Sequence, residues 1–266
     1  MLIDSHCHIH DVDYTIPAEE VLANAAASGV NKIVTMSGEM TDLDSTVEYV
    51  RANDPLRDGV DLYAFLGVHP SEAAQLPRDF DQIVKNKIQP NRDIVKGVGE
   101  IGLDYFYDFA NHDLQIAALE RQLQLAVDLD LPVSMHIRSG KGGDAFADLI
   151  PLLDNFSGRV RGAVHSFTDT VANLEKVLER GLSIGVNGIV TFNKDPELDR
   201  AYRVMSLDRI ILETDAPWLA PKPYRGRPNQ PSHIREIAEF LAVMKGVSFE
   251  AVAQQTTSNV LSLYKI

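Results

Sequence analysis

Eight short apolar runs recur along this chain, each separated from the next by a stretch with helical periodicity, and that rhythm leaves few folds open. The first run opens at Met1 and ends in Asp4, Ser5, His6, Cys7 and His8; the others span 32–36, 62–68, 94–101, 132–137, 161–165, 182–186 and 209–213. The third is apolar without alternation, which suits a strand covered on both faces, as in parallel sheets. Between the runs, 17–28, 41–52, 80–87, 113–129, 144–153, 170–180 and 196–204 read as helices, and the chain from Pro231 onward is helical. Gly29 and Gly181 stand where C-terminal caps are expected. Eight strands alternating with helices predict an α/β fold, specifically a closed TIM (β/α)8 barrel rather than an open sheet. No linker or repeat divides the 266 residues, so one domain spanning 1–266 is expected.

Charge and cysteine usage narrow the function. A net charge of −13 argues against a surface that coats nucleic acid or anionic membrane, though it leaves room for a small basic pocket. Cys7 is the sole cysteine, so no intramolecular disulfide is possible and a reducing cytoplasmic setting is expected. Acidic Asp4 follows only three residues, with neither a basic nor a long apolar leader, so no signal peptide or membrane span is expected. The Asn155–Phe156–Ser157 sequon has no meaning in such a setting.

In a barrel of this kind active sites lie at the C-terminal ends of the strands. By the boundaries above, strand one ends in His6 and His8, three in His69, four in Glu100, five in His136, six in His165 and eight in Glu213, Thr214 and Asp215. On a strand, alternate side chains share a face, so Asp4, His6 and His8 are expected on one side and Ser5 and Cys7 on the other. Two imidazoles at i and i+2 make half a metal site. One such histidine alone is more often a core or surface residue; the joint placement of five reverses that preference. The donors are nitrogen and oxygen only, unlike a closed structural zinc site, and suit an open hydrolytic centre. Glu100 is the natural bridge between two ions, because a carboxylate offers one oxygen to each. Asp215 is expected to hold one ion and accept a proton from water, its duller role being a helix N-cap after strand eight.

Other signals have plain explanations. Gly97, Gly99 and Gly102 spell the dinucleotide pattern, but Glu100 lies within it and no helix begins directly after it, so pyrophosphate binding is rejected. Ser139 to Gly143 lacks phosphate-loop spacing and reads as a flexible loop, with Arg138 beside it a candidate for gripping phosphate. His69 is open between a core group and a hydrogen-bond donor in the pocket. Trp218, with Tyr224, Arg225 and Arg227, makes an aromatic and basic patch beyond strand eight.

Together these residues resemble the TatD family of metal-dependent hydrolases over essentially the whole chain. The motifs are DSHCH at 4–8, GVHP at 67–70, GEIGLDY at 99–105, His136 with Arg138, HSF at 165–167 and ETDAPWL at 213–219, followed by Arg225, Gly226, Asn229, Gln230, Pro231, Thr256, Thr257 and Asn259. The resemblance implies an amidohydrolase-type barrel and metal-dependent phosphodiesterase activity, commonly 3′-to-5′ exonuclease action on DNA, with RNA left open. It implies two divalent ions (Mg, Mn or Zn): His6, His8, Glu100 and Asp215 around one, and Glu100, His136 and His165 around the other, with Asp215 and Glu100 catalytic. It also implies that His69 and Arg138 face the substrate phosphate. Two departures stand out, Ser166 where many members have cysteine, and SGKGGD after Arg138 where a polar, acidic run is more usual.

The expected partner is a nucleic-acid strand end, with no membrane and no obligate protein partner, acting as a monomer. Two rivals remain: an amidohydrolase cleaving C–N bonds in a small metabolite, and a non-catalytic metal-binding protein. Arg138 and His69 favour phosphate, Glu100 stands where a carboxylated lysine would bridge in the first rival, and the complete ligand set disfavours the second.

Overall fold

The computed structural model describes residues 1–53, 59–107 and 111–266. Eight parallel strands follow one another in sequence order: β1 (Leu2–Cys7), β2 (Val30–Met36), β3 (Asp61–Phe65), β4 (Val95–Asp104), β5 (Val133–Arg138), β6 (Gly162–His165), β7 (Ser183–Val186) and β8 (Ile210–Leu212). They form the expected TIM barrel. The seam between β8 and β1 is closed by individual hydrogen bonds. Ser5 Oγ donates to Leu212 O at 2.8 Å, Asp215 N–H to His6 O at 3.0 Å and His8 N–H to Ala216 O at 2.7 Å. The Asp4 carboxylate completes the seam, accepting from the backbone N–H and the hydroxyl of Thr214 at 2.9 and 2.5 Å. Asp4 therefore belongs to the barrel's closure and not to the histidine face. A register irregularity between Asp4 and Cys7 breaks the strict alternation expected of β1.

The helices are α1 (Ala18–Ala27), α2 (Leu43–Ala52), α3 (Phe80–Ile88), α4 (His112–Asp128), α5 (Ala145–Asn155), α6 (Val171–Glu179), α7 (Pro196–Val204), α8 (Ile234–Lys245) and α9 (Phe249–Tyr264). Local chemistry sets their ends. Asp144, Thr170, Asp195 and Ser248 each accept a first-turn N–H on the side chain. The helical tail from Pro231 divides in two because Gly246 adopts φ +66° and ends α8 before Ser248 caps α9. No helix among the described residues is long and apolar enough to cross a membrane.

Two apolar layers result. Leu2, Cys7, Ile33, Leu62, Val98 and many others pack outward against the helices. A separate cluster fills the floor of the barrel: Ile3, Val34, Met36, Phe65, Ala163 and Ile211 from the strands meet Val260 and Tyr264 of α9. The Tyr264 and Phe65 rings lie 4.6 Å apart. Helix α9 is tied beneath the strands, with Thr257 Oγ1 donating to Met1 O, and Asn259 Nδ2 to Leu207 O and Ile210 O.

Close approach between β5 and β6 depends on Gly162. Its φ is +152°, and a Cβ there would fall 2.1 Å from Val133 O, a backbone atom that moves only if the strands part. Gly181 has φ +79° in open space. Gly162→Ala is expected to lower the unfolding free energy by about 2–3 kcal/mol, from overpacking as well as backbone strain. Gly181→Ala is expected to cost about 1–2 kcal/mol from strain alone. Urea unfolding of both variants checks the order, and equal costs would show that β5 and β6 yield at this point.

Candidate metal centre

The polar cluster lies at the C-terminal mouth of the barrel, lining a cleft of about 770 Å³. Glu100 is its centre. It sits in the middle of β4, not at the strand's end, because β4 continues to Asp104. Pairing with β5 slips between Val98 and Ile101, so two strand residues are left out of register, and that bulge directs Glu100 inward. Its N–H donates to Ser37 O at 2.8 Å. The neighbouring glycines serve strand packing: a Cβ on Gly97 would strike the Phe65 ring at 2.2 Å, and one on Gly102 would strike His136 O at 1.8 Å. That accounts for the GxGxxG spacing without a nucleotide.

The two oxygens of Glu100 face different partners. Oε2 lies 3.3 Å from His8 Nε2 and 3.6 Å from His6 Nε2. Oε1 lies 2.7 Å from His165 Nε2, 3.2 Å from His136 Nδ1 and 3.9 Å from His69 Nε2. Asp215 Oδ1 stands 3.7 Å from both His6 Nε2 and His8 Nε2. Asp215 opens a turn with φ +57°, closed by Trp218 N–H to Asp215 O, so it is not a helix N-cap. All six residues expected as ligands are thus brought together. His165 stands between the two halves, since its ligand atom also groups with those of His6 and Asp215.

The far side of each ring fixes what the near side can do. His8 Nδ1 lies 3.0 Å from Met36 O, a pure acceptor, so Nδ1 carries the hydrogen and Nε2 offers its lone pair to the cluster. His136 Nε2 faces Asp104 Oδ2 at 3.0 Å, leaving Nδ1 to face Glu100. His6 Nδ1 meets Ser134 Oγ at 2.9 Å. For His165, Nδ1 points at Glu213 Oε1, 3.5 Å away, and the same oxygen accepts the Ser166 N–H at 2.5 Å. Glu213 fits only because Gly185 lacks a side chain, since a Cβ there would be 2.3 Å from Oε2. Asp104, Glu213 and Ser134 were not singled out as partners of these histidines. The signal for the first two is a second acidic residue in each of GEIGLD and ETD.

His69 Nε2 groups with the ligand atoms of Glu100 and His136, whereas Arg138 stands outside the cluster. Ser71 N–H donates to His69 Nδ1 at 3.1 Å, so Nε2 carries the hydrogen and points into the cleft. Burial pushes the ring down to about 4, so His69 is a neutral donor. That settles its place: the cleft wall, not the core. Arg138 lies on the rim with its guanidinium 3.9 Å above the Phe106 ring.

The electrostatics are those of a cation site. His6 and His8 present Nε2 atoms 3.1 Å apart, and burial, then His165, drives the His6 ring well below its ordinary value. Burial opposes charge on Glu100 too, but His165, His136 and His6 outweigh it and hold the carboxylate ionised. His165 is pulled the other way: burial disfavours its charge, and Glu100 and then Glu213 overcome that. Imidazole nitrogens converging on an ionised Glu100, each ring oriented from behind, fit divalent metal ions.

An eight-stranded barrel with imidazoles and carboxylates converging at its C-terminal mouth defines a metal-dependent hydrolase. A family model for TatD related DNase matches residues 3–265, and the chain belongs to the TatD family. An Escherichia coli K12 relative, the uncharacterized metal-dependent hydrolase YcfH, is 34% identical over 269 residues, covering 100% of this chain and 96% of that protein. A 3′-5′ ssDNA/RNA exonuclease TatD from Erwinia amylovora is 34% identical over 204 residues, 74% of this chain and 76% of that protein. The crystal structure of YJJV, a TatD homolog from Escherichia coli K12, has a TM-score of 0.89 at 27% identity, covering 100% of this chain and 98% of that one.

Glu213→Gln keeps shape but removes the charge behind His165. It is expected to weaken zinc binding by roughly 10–100-fold, the usual cost of losing an outer-sphere partner. Titration calorimetry with zinc, alongside urea unfolding, checks this; unchanged affinity in a folded variant would remove Glu213 from the metal centre.

Proposed function

We propose that this protein is a two-metal phosphodiesterase that removes nucleotides from the 3′ end of single-stranded DNA or RNA. The observation that carries the reading is the divided carboxylate of Glu100, with His6 and His8 on one oxygen and His136 and His165 on the other. On this reading His6, His8, Glu100 and Asp215 hold one divalent ion, and Glu100, His136 and His165 hold the second; Mg, Mn and Zn all suit nitrogen and oxygen donors. Bound ions would supply Lewis-acid activation of a water molecule and neutralise charge on the attacked ester.

The chain's own groups then have distinct tasks. Burial raises the Asp215 carboxyl above its ordinary value, which suits a base that takes the proton from the attacking water. His69 donates from Nε2 to a phosphate oxygen. Arg138, always charged and unable to ligate a cation, grips phosphate from the rim. The exonuclease name of the Erwinia amylovora relative supports the substrate class. With 38 acidic against 25 basic residues, few phosphates can be neutralised, so a strand end suits this mouth better than a long duplex tract. The whole chain, 1–266, works as one domain and as a cytoplasmic monomer.

Elemental analysis of the metal-saturated protein is expected to give two ions per chain, and Glu100→Ala is expected to lose more activity than any single histidine variant. One ion at saturation, or near-normal turnover by Glu100→Ala, sinks the bridge. Arg138→Ala is expected to keep its metals while losing activity on phosphodiesters. End-labelled linear DNA should shorten stepwise while covalently closed circles persist. Efficient cutting of circles would overturn the end-binding model, and hydrolysis of small amides with all DNA untouched would favour the metabolite alternative.

A further inference from the structure

Four Phe, Tyr or Trp side chains are exposed among the described residues, and three of them stand at the mouth: Phe106 (51%), Tyr107 (49%) and Trp218 (51%). Tyr107 and Trp218 line the cleft itself. Their placement follows from the topology. Phe106 and Tyr107 come directly after β4 and Trp218 follows β8, so in a closed barrel of eight sequential strands they lie half a circumference apart, with the Glu100 cluster between them.

Both stations are built. Asp104, whose Oδ2 orients His136, uses Oδ1 to accept the N–H groups of Phe106 and Tyr107 at 2.8 and 3.1 Å. The Arg138 guanidinium covers the Phe106 ring at 3.9 Å and lies 5.1 Å from that of Tyr107. The glycine-rich loop after Arg138 is packed beneath: Gly142 N–H donates to Tyr105 O at 3.1 Å, and a Cβ on Gly140 would fall 2.5 Å from Phe106 Cα. Across the mouth, the Trp218 ring meets the His8 ring edge-on at 5.2 Å. Asn229 Nδ2 donates to Thr214 O and Trp218 O, both at 2.7 Å, and so brackets the turn that carries Asp215 and Trp218. Exposing three large aromatic rings costs apolar hydration, and a protein that fixes their backbones this firmly holds them for a ligand.

We propose that Trp218 and the Phe106–Tyr107–Arg138 stack are two base-stacking stations that seat unpaired nucleobases on either side of the reacting phosphate. The inference rests on the nuclease reading above and names what that reading leaves open, the source of affinity. A chain with net charge −13 can neutralise few phosphates, and the wall opposite Arg138 is acidic, with Asp11, Glu39 and Asp42 lining the cleft. Stacking needs no cation and tolerates any base, because every base has a π-face. Bases must be unpaired to reach both stations, so the substrate class is a single strand with at least two nucleotides in the mouth. The SGKGGD departure then acquires a role: its glycines let the loop lie under Phe106.

The test uses the full chain, hexathymidylate, and a hexamer of the same backbone with abasic sites in place of thymidine. Trp218 is the sole tryptophan, so its fluorescence reports directly on its own station. With Ca²⁺ as the metal, hexathymidylate is expected to quench that fluorescence and the abasic hexamer to leave it unchanged. In turnover with Mn²⁺, wild-type KM is expected to be lower for the base-bearing strand by about tenfold or more, the scale of one or two stacked bases. Trp218→Ala and Phe106→Ser should each collapse that KM ratio towards unity, Trp218→Phe should restore it, and Gly140→Val should lower it by displacing Phe106. Equal quenching by both hexamers, or a KM ratio that Trp218→Ala and Phe106→Ser leave intact, overturns the stations. If neither strand is hydrolysed yet quenching remains selective for bases, the nuclease reading fails and the stations stand.

Discussion

A carboxylate buried to 5% exposure in the middle of a strand is the constraint on which this structure turns. An ionised Glu100 at that depth would be expelled without compensation, because a buried charge must be paired and hydrogen-bonded. The chain answers with four imidazoles, drawn from β1 and the residue just past it, β5 and β6, and aimed at its two oxygens. Those imidazoles in turn need support from behind, which Met36, Ser134, Asp104 and Glu213 provide. Each shell thus specifies the next, and the glycines at 102 and 185 exist to make room for it.

Much of this was legible in the sequence because it follows from period and punctuation. Parallel strands buried on both faces announce themselves as continuous apolar runs, and the glycines at 29 and 181 mark where helices stop, whereas the break at Gly246 went unread. The histidines were legible for a similar reason: a barrel places the ends of its strands at one level, so position along the chain translates into position in space. What escaped was whatever depends on departures from regularity. The slip in β4 turns Glu100 inward from mid-strand, and the slip in β1 sends Asp4 to Thr214 at the seam. Neither irregularity has a sequence signature apart from the glycines beside Glu100, whose spacing more readily suggests a nucleotide loop. The partner carboxylates Asp104 and Glu213 were hidden for another reason, since an acidic residue beside a ligand looks like an alternative ligand until the hydrogen bond is seen.

The aromatic rim shows how closely support and exposure are coupled. Asp104 holds His136 with one oxygen and the Phe106–Tyr107 turn with the other, so ring orientation in the cluster and ring presentation at the mouth share one carboxylate. Asn229 does the same on the opposite side, fixing the backbone on either flank of Asp215. The cluster and its rim are in this sense one rigid unit.

The seam has a consequence for how the protein comes into being. Asp4 and Ser5 meet Thr214 and Leu212 across more than two hundred residues, and Thr257 of α9 reaches back to Met1. Contacts of such long sequence separation pay their loop-closure entropy before they return any energy, which slows folding. His6 and His8 precede β8 and α9 along the chain, so they are synthesised well before the elements that complete their surroundings. Slow ring closure therefore sets when the cluster is assembled, because imidazoles made early are fixed in place only once the seam shuts.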